Sequence, residues 1–298
     1  MSGLRRLLKY AKGVARGALA SALRSSVRPL RVALERKPRL LLERPELELE
    51  PTLELVAAEH MLDVGPELFF VQIGAFDGQT NDPIHELVER HGWRGVLAEP
   101  QRRYFEALER TYAGNHRVTL RNVALARESG VRPFYRVRED PGAPPWVPQL
   151  ASFDRDTILA HEFAYPRLRQ LIVEDEVQTL SIEDLLADTD VARVDVFQID
   201  AEGYDAEIVK MIDLARWRPA IVHFEHDHLS PADHESAMRY LADAGYGLYV
   251  KRFDTLAYRR RPADSAAAAP AVLSKTRRGA QVSSQMHGFR AFSKTPGA

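Results

Sequence analysis

Residues 68–78 read LFFVQIGAFDG, and this stretch decides the fold. It begins with consecutive apolar residues and Ile73 completes the run, which is typical of a strand buried on both faces of a parallel sheet. The chain then turns through Gly-Ala-Phe-Asp-Gly and enters an amphipathic helix that we predict over 83–91. A strand, a glycine turn and a helix favour a nucleotide site, although a tight connection is the simpler interpretation. Small residues let the backbone approach a ligand, and the N–H groups at the helix start face it.

Two later strand ends carry side chains suited to the rest of a nucleotide. A strand predicted over 96–98 ends in Glu99, about twenty residues beyond the glycine turn,. A carboxylate at this position accepts both ribose hydroxyls in nucleotide-binding sheets, whereas the alternative is a surface glutamate that ends a strand. A third strand, predicted over 118–123, contains Asn122, whose amide is suited to an adenine edge, and Ala124 after it leaves room for the ring.

A second buried strand is predicted within residues 194–204, which read VDVFQIDAEGY. Its carboxyl end delivers Asp200 and Glu202 to the edge of the sheet where ligands of open parallel sheets bind. Two carboxylates two residues apart are suited to acid–base chemistry or to metal binding. Glu202 has a second interpretation, because an acid in the first turn of the following helix also stabilises the helix dipole.

The next strand, predicted over 220–224, runs into a cluster of histidines and acids. The cluster comprises His223, Glu225, His226, Asp227 and His228. Alternation along a strand places the first, second and fourth of these on one side and the other two on the opposite side. Such a cluster is suited to binding a metal or to moving protons. Because the segment is leaving the strand, solvated side chains are the alternative.

The remaining elements complete an alternating α/β pattern. Further helices are predicted over 52–63, 102–112, 154–172, 182–186, 205–214 and 231–244, and further strands over 132–137, 177–180, 247–251 and 255–258, the last two as a hairpin,. A proline-rich loop over 141–148 surrounds Trp146. Its two interpretations are a substrate lid, which we favour, and a poorly ordered connection.

Composition and charge exclude several functional classes. The chain of 298 residues has no cysteine, which excludes disulfides, thiolate zinc sites and cysteine nucleophiles,. Residues 40–258 are strongly acidic, which argues against nucleic acid as the main partner because phosphate contacts need a basic face,. The glycine turn lacks a phosphate-binding lysine and the Gly-x-Gly-x-x-Gly pattern, which disfavours other classes of nucleotide enzyme.

Both ends of the chain are basic. Residues 1–39 carry eleven Lys and Arg residues against one acid, interleaved with leucine and alanine. They hold too few consecutive apolar residues for a membrane span or for the centre of a secretory signal. The two interpretations left are a basic amphipathic helix on an anionic membrane surface and a frayed cationic extension. We expect an extension and linker over 1–51, one folded domain over 52–259, and a disordered basic tail over 260–298.

The chain resembles the FkbM family of S-adenosylmethionine-dependent methyltransferases over residues 68–258. The resemblance rests on VQIGAFDG, GVLAEP, NVAL, ASF, FQIDAEGYDAEI and PAIVHFEHD in this order, above all on the Ile-Asp-x-Glu-Gly pattern at residues 199–203. It implies a Rossmann-like class I methyltransferase domain over 52–259. This is an α/β fold with a mostly parallel seven-stranded sheet, one antiparallel strand near its edge and helices on both faces.

The resemblance also implies roles for individual residues. The cofactor-binding residues would be Gly74, Ala75, Asp77 and Gly78 for the methionine end, Glu99 for the ribose, and Asn122 and Ala124 for the adenine. Asp200 and Glu202 would face the methyl acceptor. Many relatives have an acid where this chain has Gln72, and Asp77 or Asp82 would take over its electrostatic role.

The implied activity is O-methylation of a sugar, a glycolipid or polysaccharide precursor, or a secondary metabolite. The acceptor alcohol must lose a proton, and Asp200 is our first candidate base, with His223 or His226 in reserve. A divalent metal would serve the same purpose, and we assign no ligands to one. The alternative is a cofactor-binding or scaffold protein of glycan assembly that no longer catalyses a reaction. We expect a cytoplasmic protein with a small-molecule or glycan acceptor, no nucleic-acid partner, and peripheral contact with an anionic membrane through residues 1–39.

Overall fold

The computed structural model describes residues 51–259, so the predictions for residues 1–50 and 260–298 lie outside the described residues. The helices are α1 (Leu53–Val64), α2 (His85–His91), α3 (Arg102–Thr111), α4 (Arg155–Leu159), α5 (Leu168–Leu171), α6 (Ile182–Leu186), α7 (Asp205–Met211) and α8 (Pro231–Asp243). The strands are β1 (Phe69–Ile73), β2 (Arg94–Ala98), β3 (Val118–Arg121), β4 (Ala124–Leu125), β5 (Gly130–Val137), β6 (Ala151–Ser152), β7 (Ile172–Leu180), β8 (Val196–Ile199), β9 (Ile221–Glu225), β10 (Tyr246–Val250) and β11 (Asp254–Arg259). Among these residues, none of the helices combines the length and the apolar character needed to cross a membrane.

The main sheet has seven strands in the order β10-β11-β9-β8-β1-β2-β3. Neighbouring strands from β9 to β3 are parallel, and β11 is antiparallel to both of its neighbours. The predicted class I methyltransferase topology is therefore confirmed, with a sheet that is mixed rather than wholly parallel. After β1, the chain adds β2 and β3 on one side of β1, and it later adds β8 on the other side of β1. The ends of β1 and β8 thus form a topological switch point, where ligands of open α/β sheets bind.

Helices cover both faces of this sheet, as predicted. Along β1, Val71 and Ile73 face one apolar core, while Phe70 faces the other. The first core is completed by side chains of α6, α7 and α8, and the second by side chains of α1, α2 and α3. Because both faces of β1 are buried, its residues are apolar except for Gln72,.

A second sheet has four strands in the order β4-β7-β5-β6. The sequence patterns did not predict this sheet, and the single helix predicted over 154–172 is wrong. The structure has two short helices there, α4 and α5, and β7 begins at Ile172. Pro166 lies between the two helices, and its missing N–H and ring disfavour a continuous helix. Residues 172–179 become a strand because they pair with residues 130–137 along the whole of β5.

The proline-rich loop leads into a short 3-10 turn at Val147–Gln149. Trp146 and Val147 pack into a third apolar core with Ile158 of α4 and Leu168 of α5. This small core joins the loop to the second sheet and holds it beside the ends of the main strands. The lid function of the loop stays a prediction.

Candidate active site

A cavity of about 390 Å³ opens at the carboxyl ends of the central strands. It is lined by residues that directly follow β1, β2 and β8 and by the last residue of β9, among them Gly74, Glu99, Asp200 and Glu225. Its volume lies within the range of about 300–1,000 Å³ that is typical of small-molecule sites. The cavity therefore occupies the place where the strand order predicts a ligand.

The glycine turn after β1 brings two strand ends into direct contact. The backbone N–H groups of Gly74 and Ala75 both donate to the carbonyl oxygen of Ala98, at 2.9 and 3.1 Å, which ties the turn to the end of β2. Gly74 has a φ of +74°, and a Cβ atom added to it would lie 1.7 Å from the carbonyl oxygen of Asp200. Only glycine fits here, because any side chain would collide with the backbone at the end of β8.

Glu99 connects the end of β2 to the glycine turn. The residue is 4% exposed. Its Oε2 accepts a hydrogen bond from the Phe76 N–H at 2.9 Å and its Oε1 accepts one from the Gln101 N–H at 2.8 Å. Burial raises the pKa of Glu99 to about 7, although these two hydrogen bonds oppose the rise. Each carboxylate oxygen keeps a further lone pair, so Glu99 has the acceptors that a ribose contact needs.

Two residues of the glycine turn lie outside the cavity lining. Asp77 accepts hydrogen bonds from the N–H groups of Gln79 and Thr80 and from the Thr80 hydroxyl, which stabilise the turn itself. Gly78 packs against α3, where an added Cβ atom would lie 2.6 Å from Cδ1 of Leu108. Both residues shape the turn, and their predicted contact with a cofactor is not tested by this geometry.

The two predicted adenine residues occupy different places. Ala124, the first residue of β4, lines the cavity together with Val123 and offers an apolar surface for a ring. Asn122 lies outside the cavity lining, and its amide donates to the carbonyl oxygens of Glu99 and Pro100 at 2.8 and 3.0 Å. These bonds use both N–H donors of the amide, so Asn122 joins the ends of β2 and β3.

Gln72 and Asp82 form a pair beside the glycine turn. Nε2 of Gln72 donates to Oδ2 of Asp82 at 2.9 Å, and both side chains line the cavity. The other carboxylate oxygen of Asp82 accepts from the backbone N–H groups of Ile84 and His85 at the start of α2. Of the two acids predicted to compensate for Gln72, Asp82 is therefore the one beside it, whereas Asp77 bonds to its own turn.

The loop after β8 is held by Asp205, the first residue of α7. Its carboxylate accepts hydrogen bonds from the backbone N–H groups of Ala201 at 2.9 Å and Gly203 at 3.1 Å. Between these two residues, Glu202 has a φ of +48°, in the left-handed region. The loop thereby presents Asp200 and Glu202 to the cavity.

The surroundings raise the pKa of both of these carboxyl groups. For Asp200 the largest cause is desolvation among protein groups, followed by the negative charges of Glu225, Glu202 and Asp205. For Glu202, desolvation again comes first, followed by Glu225 and Asp205. A carboxylate whose pKa is raised is a stronger base than an exposed one. This pair is therefore suited to accept a proton from a substrate.

Three histidines, His223, His226 and His228, were predicted near the end of β9. Of these, His228 contacts Glu202 and the neighbouring Glu225. Its Nδ1 lies 2.8 Å from Oε2 of Glu225 and 3.3 Å from Oε2 of Glu202. His223 instead bonds to Gln198 on the neighbouring strand, with 2.7 Å between Nδ1 and Oε1. Burial lowers the pKa of His223 to about 4, so this side chain is neutral at physiological pH.

His226 also lies outside the cavity lining. Its ring stacks on His234 with 4.2 Å between centroids, and its Nδ1 lies 3.0 Å from the hydroxyl oxygen of Thr255. The strand alternation expected for this segment stops at Glu225, where β9 ends. The chain then turns, and the turn returns His228 to the side of Glu225.

Acidic and aromatic side chains dominate the walls of the cavity. The acids are Asp82, Glu99, Asp200, Glu202, Glu225 and Asp254. The aromatic residues are Phe76, Phe134, Phe153, Tyr204 and Phe253. Within residues 51–259, the lining contains no Lys, Arg or His. The potential of the cavity therefore favours neutral or cationic ligands over anions.

For three residues of the site, the sequence alone does not predict the contacts that the structure shows. Asp205 has the pattern of an ordinary first-turn acid, and only the structure shows its bonds to the preceding loop. Phe153 reaches the cavity from the end of β6, and its ring meets that of Tyr204 at 5.1 Å. His228 is one of several histidines in its segment, and only the turn after β9 selects it.

The chain matches one protein-family model and several solved structures. The Methyltransferase FkbM domain family model matches residues 72–248. No curated protein matches the chain significantly. Methyltransferase FkbM from Methylobacillus flagellatus is 15% identical with a TM-score of 0.42, and the alignment covers 75% of this chain and 58% of that protein. This chain thus spans less than two thirds of the length of that relative.

Two other solved structures are similar at a comparable level. Precorrin-6y C5,15-methyltransferase from Geobacter metallireducens is 14% identical with a TM-score of 0.36, over 72% of this chain and 92% of that protein. The N-terminal domain of human METTL16 in complex with SAH is 13% identical with a TM-score of 0.34, over 71% of this chain and 72% of that protein. The family model spans more than half of the sequence, and the chain therefore belongs to the FkbM methyltransferase family.

Proposed function

We propose that this protein transfers a methyl group from S-adenosylmethionine to a hydroxyl group of a sugar, of a glycolipid or polysaccharide precursor, or of a secondary metabolite. Membership of the FkbM family supports the methyl-transfer part of the proposal. The observation that carries it is the meeting of three strand ends in one cavity, with Gly74 after β1, Glu99 after β2 and Asp200 after β8. A cofactor site and a candidate base are adjacent there.

The residues present fit the proposed cofactor. S-adenosylmethionine, when bound, supplies an electrophilic methyl group on a positively charged sulfur. A wall of carboxylates without a cationic side chain, within the described residues, suits a ligand with net positive charge,. Gly74 and Ala75 would hold the methionine end, Glu99 would accept the ribose hydroxyls, and the surface formed by Val123 and Ala124 would contact the adenine.

Asp200 is the proposed general base. An acceptor alcohol is a poor nucleophile until its proton is removed, and a positioned base contributes to the rate by accepting that proton. Desolvation and the neighbouring carboxylates raise the pKa of Asp200, which strengthens it as a base. Asp205 accepts hydrogen bonds from the loop that carries Asp200. These bonds position Asp200 before the substrate binds, so little reorganisation is needed during the reaction.

The walls of the cavity support a neutral acceptor over an anionic one. Carboxylates accept hydrogen bonds from hydroxyl groups, and each can serve more than one hydroxyl. The rings of Phe153 and Tyr204 offer flat apolar surfaces beside these acceptors,. Phosphate or carboxylate groups on an acceptor would be repelled by the same acids. We therefore favour a polyhydroxylated, uncharged portion of the acceptor at the reaction site.

Calorimetry and a transfer assay together test the proposal. The full-length protein should bind S-adenosylmethionine and S-adenosylhomocysteine, and it should transfer a labelled methyl group to a member of a panel of neutral glycosides and alcohol metabolites. Phosphorylated forms of the same sugars serve as matched anionic controls. Binding without any product across the panel would support the non-catalytic alternative. A folded protein that binds neither cofactor form would overturn the proposal.

A further inference from the structure

Three side chains converge beyond the carboxyl ends of β8 and β9. Glu202, Glu225 and His228 each offer one ligand atom, and these three atoms lie within 4.8 Å of one another. All three residues are partly buried, with side-chain exposures of 23%, 20% and 13%. Two carboxylates and one imidazole form a mixed oxygen and nitrogen ligand set, which divalent first-row metal ions bind.

A second observation concerns Oε2 of Glu202. This oxygen is completely buried and has no hydrogen-bond donor. A buried carboxylate oxygen without a hydrogen bond is costly, because it has lost the hydrogen bonds that water would supply. Glu202 is kept in this position by the bonds from Asp205 to Ala201 and Gly203 on either side of it. This oxygen lies 3.3 Å from Nδ1 of His228, another member of the cluster.

Protonation of His228 does not satisfy both carboxylates. Nδ1 carries at most one hydrogen, and Oε2 of Glu225 at 2.8 Å is its nearest acceptor. Oε2 of Glu202, at 3.3 Å from the same nitrogen, is then left without a hydrogen bond. A metal ion has no such restriction, since it can be bound by both carboxylate oxygens and by the nitrogen at once.

The wider charge distribution also favours a cation at this place. Asp200 lies in the same wall of the cavity, and Asp254 is directly opposite Glu225 in the pairing of β9 with β11. Among the described lining residues, no Lys or Arg neutralises these acids. A divalent cation would offset the repulsion between them.

We propose that Glu202, Glu225 and His228 form a binding site for a divalent metal ion of the Mn²⁺ type. Three protein ligands leave further coordination positions for water or for an oxygen atom of the acceptor. The metal site does not depend on the proposed methyl transfer, whereas a catalytic role for the metal does. In that reaction the metal would bind the acceptor hydroxyl and lower its pKa beside Asp200.

Mn²⁺ binding to the chelator-treated full-length protein tests the site without cofactor or acceptor. Electron paramagnetic resonance and calorimetry should detect one Mn²⁺ ion per chain in the wild-type protein. Glu202→Gln and His228→Gln should each weaken binding by at least about 100-fold, because loss of an outer-shell partner alone typically costs 10–100-fold. Circular dichroism checks that both variants are folded.

Asp227→Asn is the matched control, since it removes one negative charge from the same turn at an exposed position outside the cluster. It should leave Mn²⁺ affinity within a few-fold of the wild type. Absence of binding at millimolar Mn²⁺, or binding that Glu202→Gln and His228→Gln leave unchanged, would overturn the site. Separate calorimetry with S-adenosylmethionine shows whether the proposed function fails as well, so the two failures are distinguishable.

Discussion

Gly74 and Asp200 touch through their backbones at the point where β1 and β8 end. A Cβ atom added to Gly74 would lie 1.7 Å from the carbonyl oxygen of Asp200. The N–H of Asp200 donates to the carbonyl oxygen of Ile73 at 2.9 Å, so the two strand ends are also joined by a hydrogen bond. The proposed cofactor end and the proposed acceptor end of the cavity therefore share one junction, and a change at Gly74 disturbs both.

We predict that Gly74→Ala destabilises the protein more than Gly114→Ala. Both glycines have positive φ, which costs alanine about 1–2 kcal/mol, but an added Cβ at Gly114 meets nothing within 4 Å,. At Gly74 the collision with the Asp200 backbone should add at least the about 1–3 kcal/mol typical of overpacking. Urea denaturation of the two variants measures the difference. Equal losses of unfolding free energy would contradict a tight junction.

Glu99 should make cofactor affinity depend on pH. Its pKa is about 7 in the free protein, and only the ionised form offers both oxygens as acceptors to ribose hydroxyls. Affinity should therefore rise as pH increases through 7, because a ligand that prefers the ionised form releases the proton on binding. In Glu99→Gln this part of the pH dependence should vanish, and affinity should fall by about 1.5–3 kcal/mol.

Calorimetry at pH 6 and pH 8 compares the two proteins. Titration of groups on the ligand changes the affinity of both proteins equally. The Glu99→Gln variant therefore isolates the pH dependence that Glu99 causes. A wild-type affinity that follows the variant at both pH values would remove Glu99 from the ribose site.

Asp200→Asn should separate binding from turnover. The amide keeps the size of the side chain but cannot accept a proton, so methyl transfer should fall by about 10²–10⁴-fold while cofactor affinity changes little. Single-turnover assays with an acceptor from the panel measure the rate, and Asp227→Asn is the control for a lost charge outside the cavity. Normal turnover by folded Asp200→Asn would make Asp200 a structural residue.

Asp205→Ala should loosen the loop that carries Asp200 and Glu202. It leaves the N–H groups of Ala201 and Gly203 without their acceptor, at a cost of about 1–3 kcal/mol for each buried group that stays unpaired,. Asp213→Ala removes two hydrogen bonds of the same kind at an exposed turn, where water replaces the carboxylate. Thermal denaturation should show the larger loss for Asp205→Ala, accompanied by a loss of methyl transfer. Similar melting temperatures for the two variants would refute the positioning role of Asp205.

The proposed membrane contact of residues 1–39 can be tested by truncation. Their excess of basic residues should be attracted to an anionic leaflet, at about 1 kcal/mol for each charge near the surface,. The full-length protein should cosediment with vesicles that contain anionic lipid, and a protein that begins at Leu40 should not. Vesicles of neutral lipid are the control. Equal cosedimentation of both proteins, or of neither at low salt, would leave the basic segment without this role.

Continuous local signals in the sequence were sufficient to predict the centre of the fold. The apolar runs that precede Gly74 and Asp200 predicted β1 and β8, because such a run is stable only when both of its faces are buried,. The helix predicted over 182–186 is α6, and the Ser181 hydroxyl at its start accepts a hydrogen bond from the Asp184 N–H at 3.0 Å. Small residues and acids directly after the strands then placed the cavity, because parallel strands end at one edge.

Contacts between distant parts of the chain decided the rest. Residues 172–176 form a strand because β5, some forty residues earlier, supplies their hydrogen-bond partners. The hydrophobic pattern of residues 172–176 alone does not predict that pairing. Likewise, His228 meets Glu202 across 26 residues because β9 ends at Glu225 and the chain turns back. By itself the sequence determined which strands are central and where they end. Only the tertiary structure decided which side chains meet there, since those meetings depend on pairings whose partners are remote along the chain.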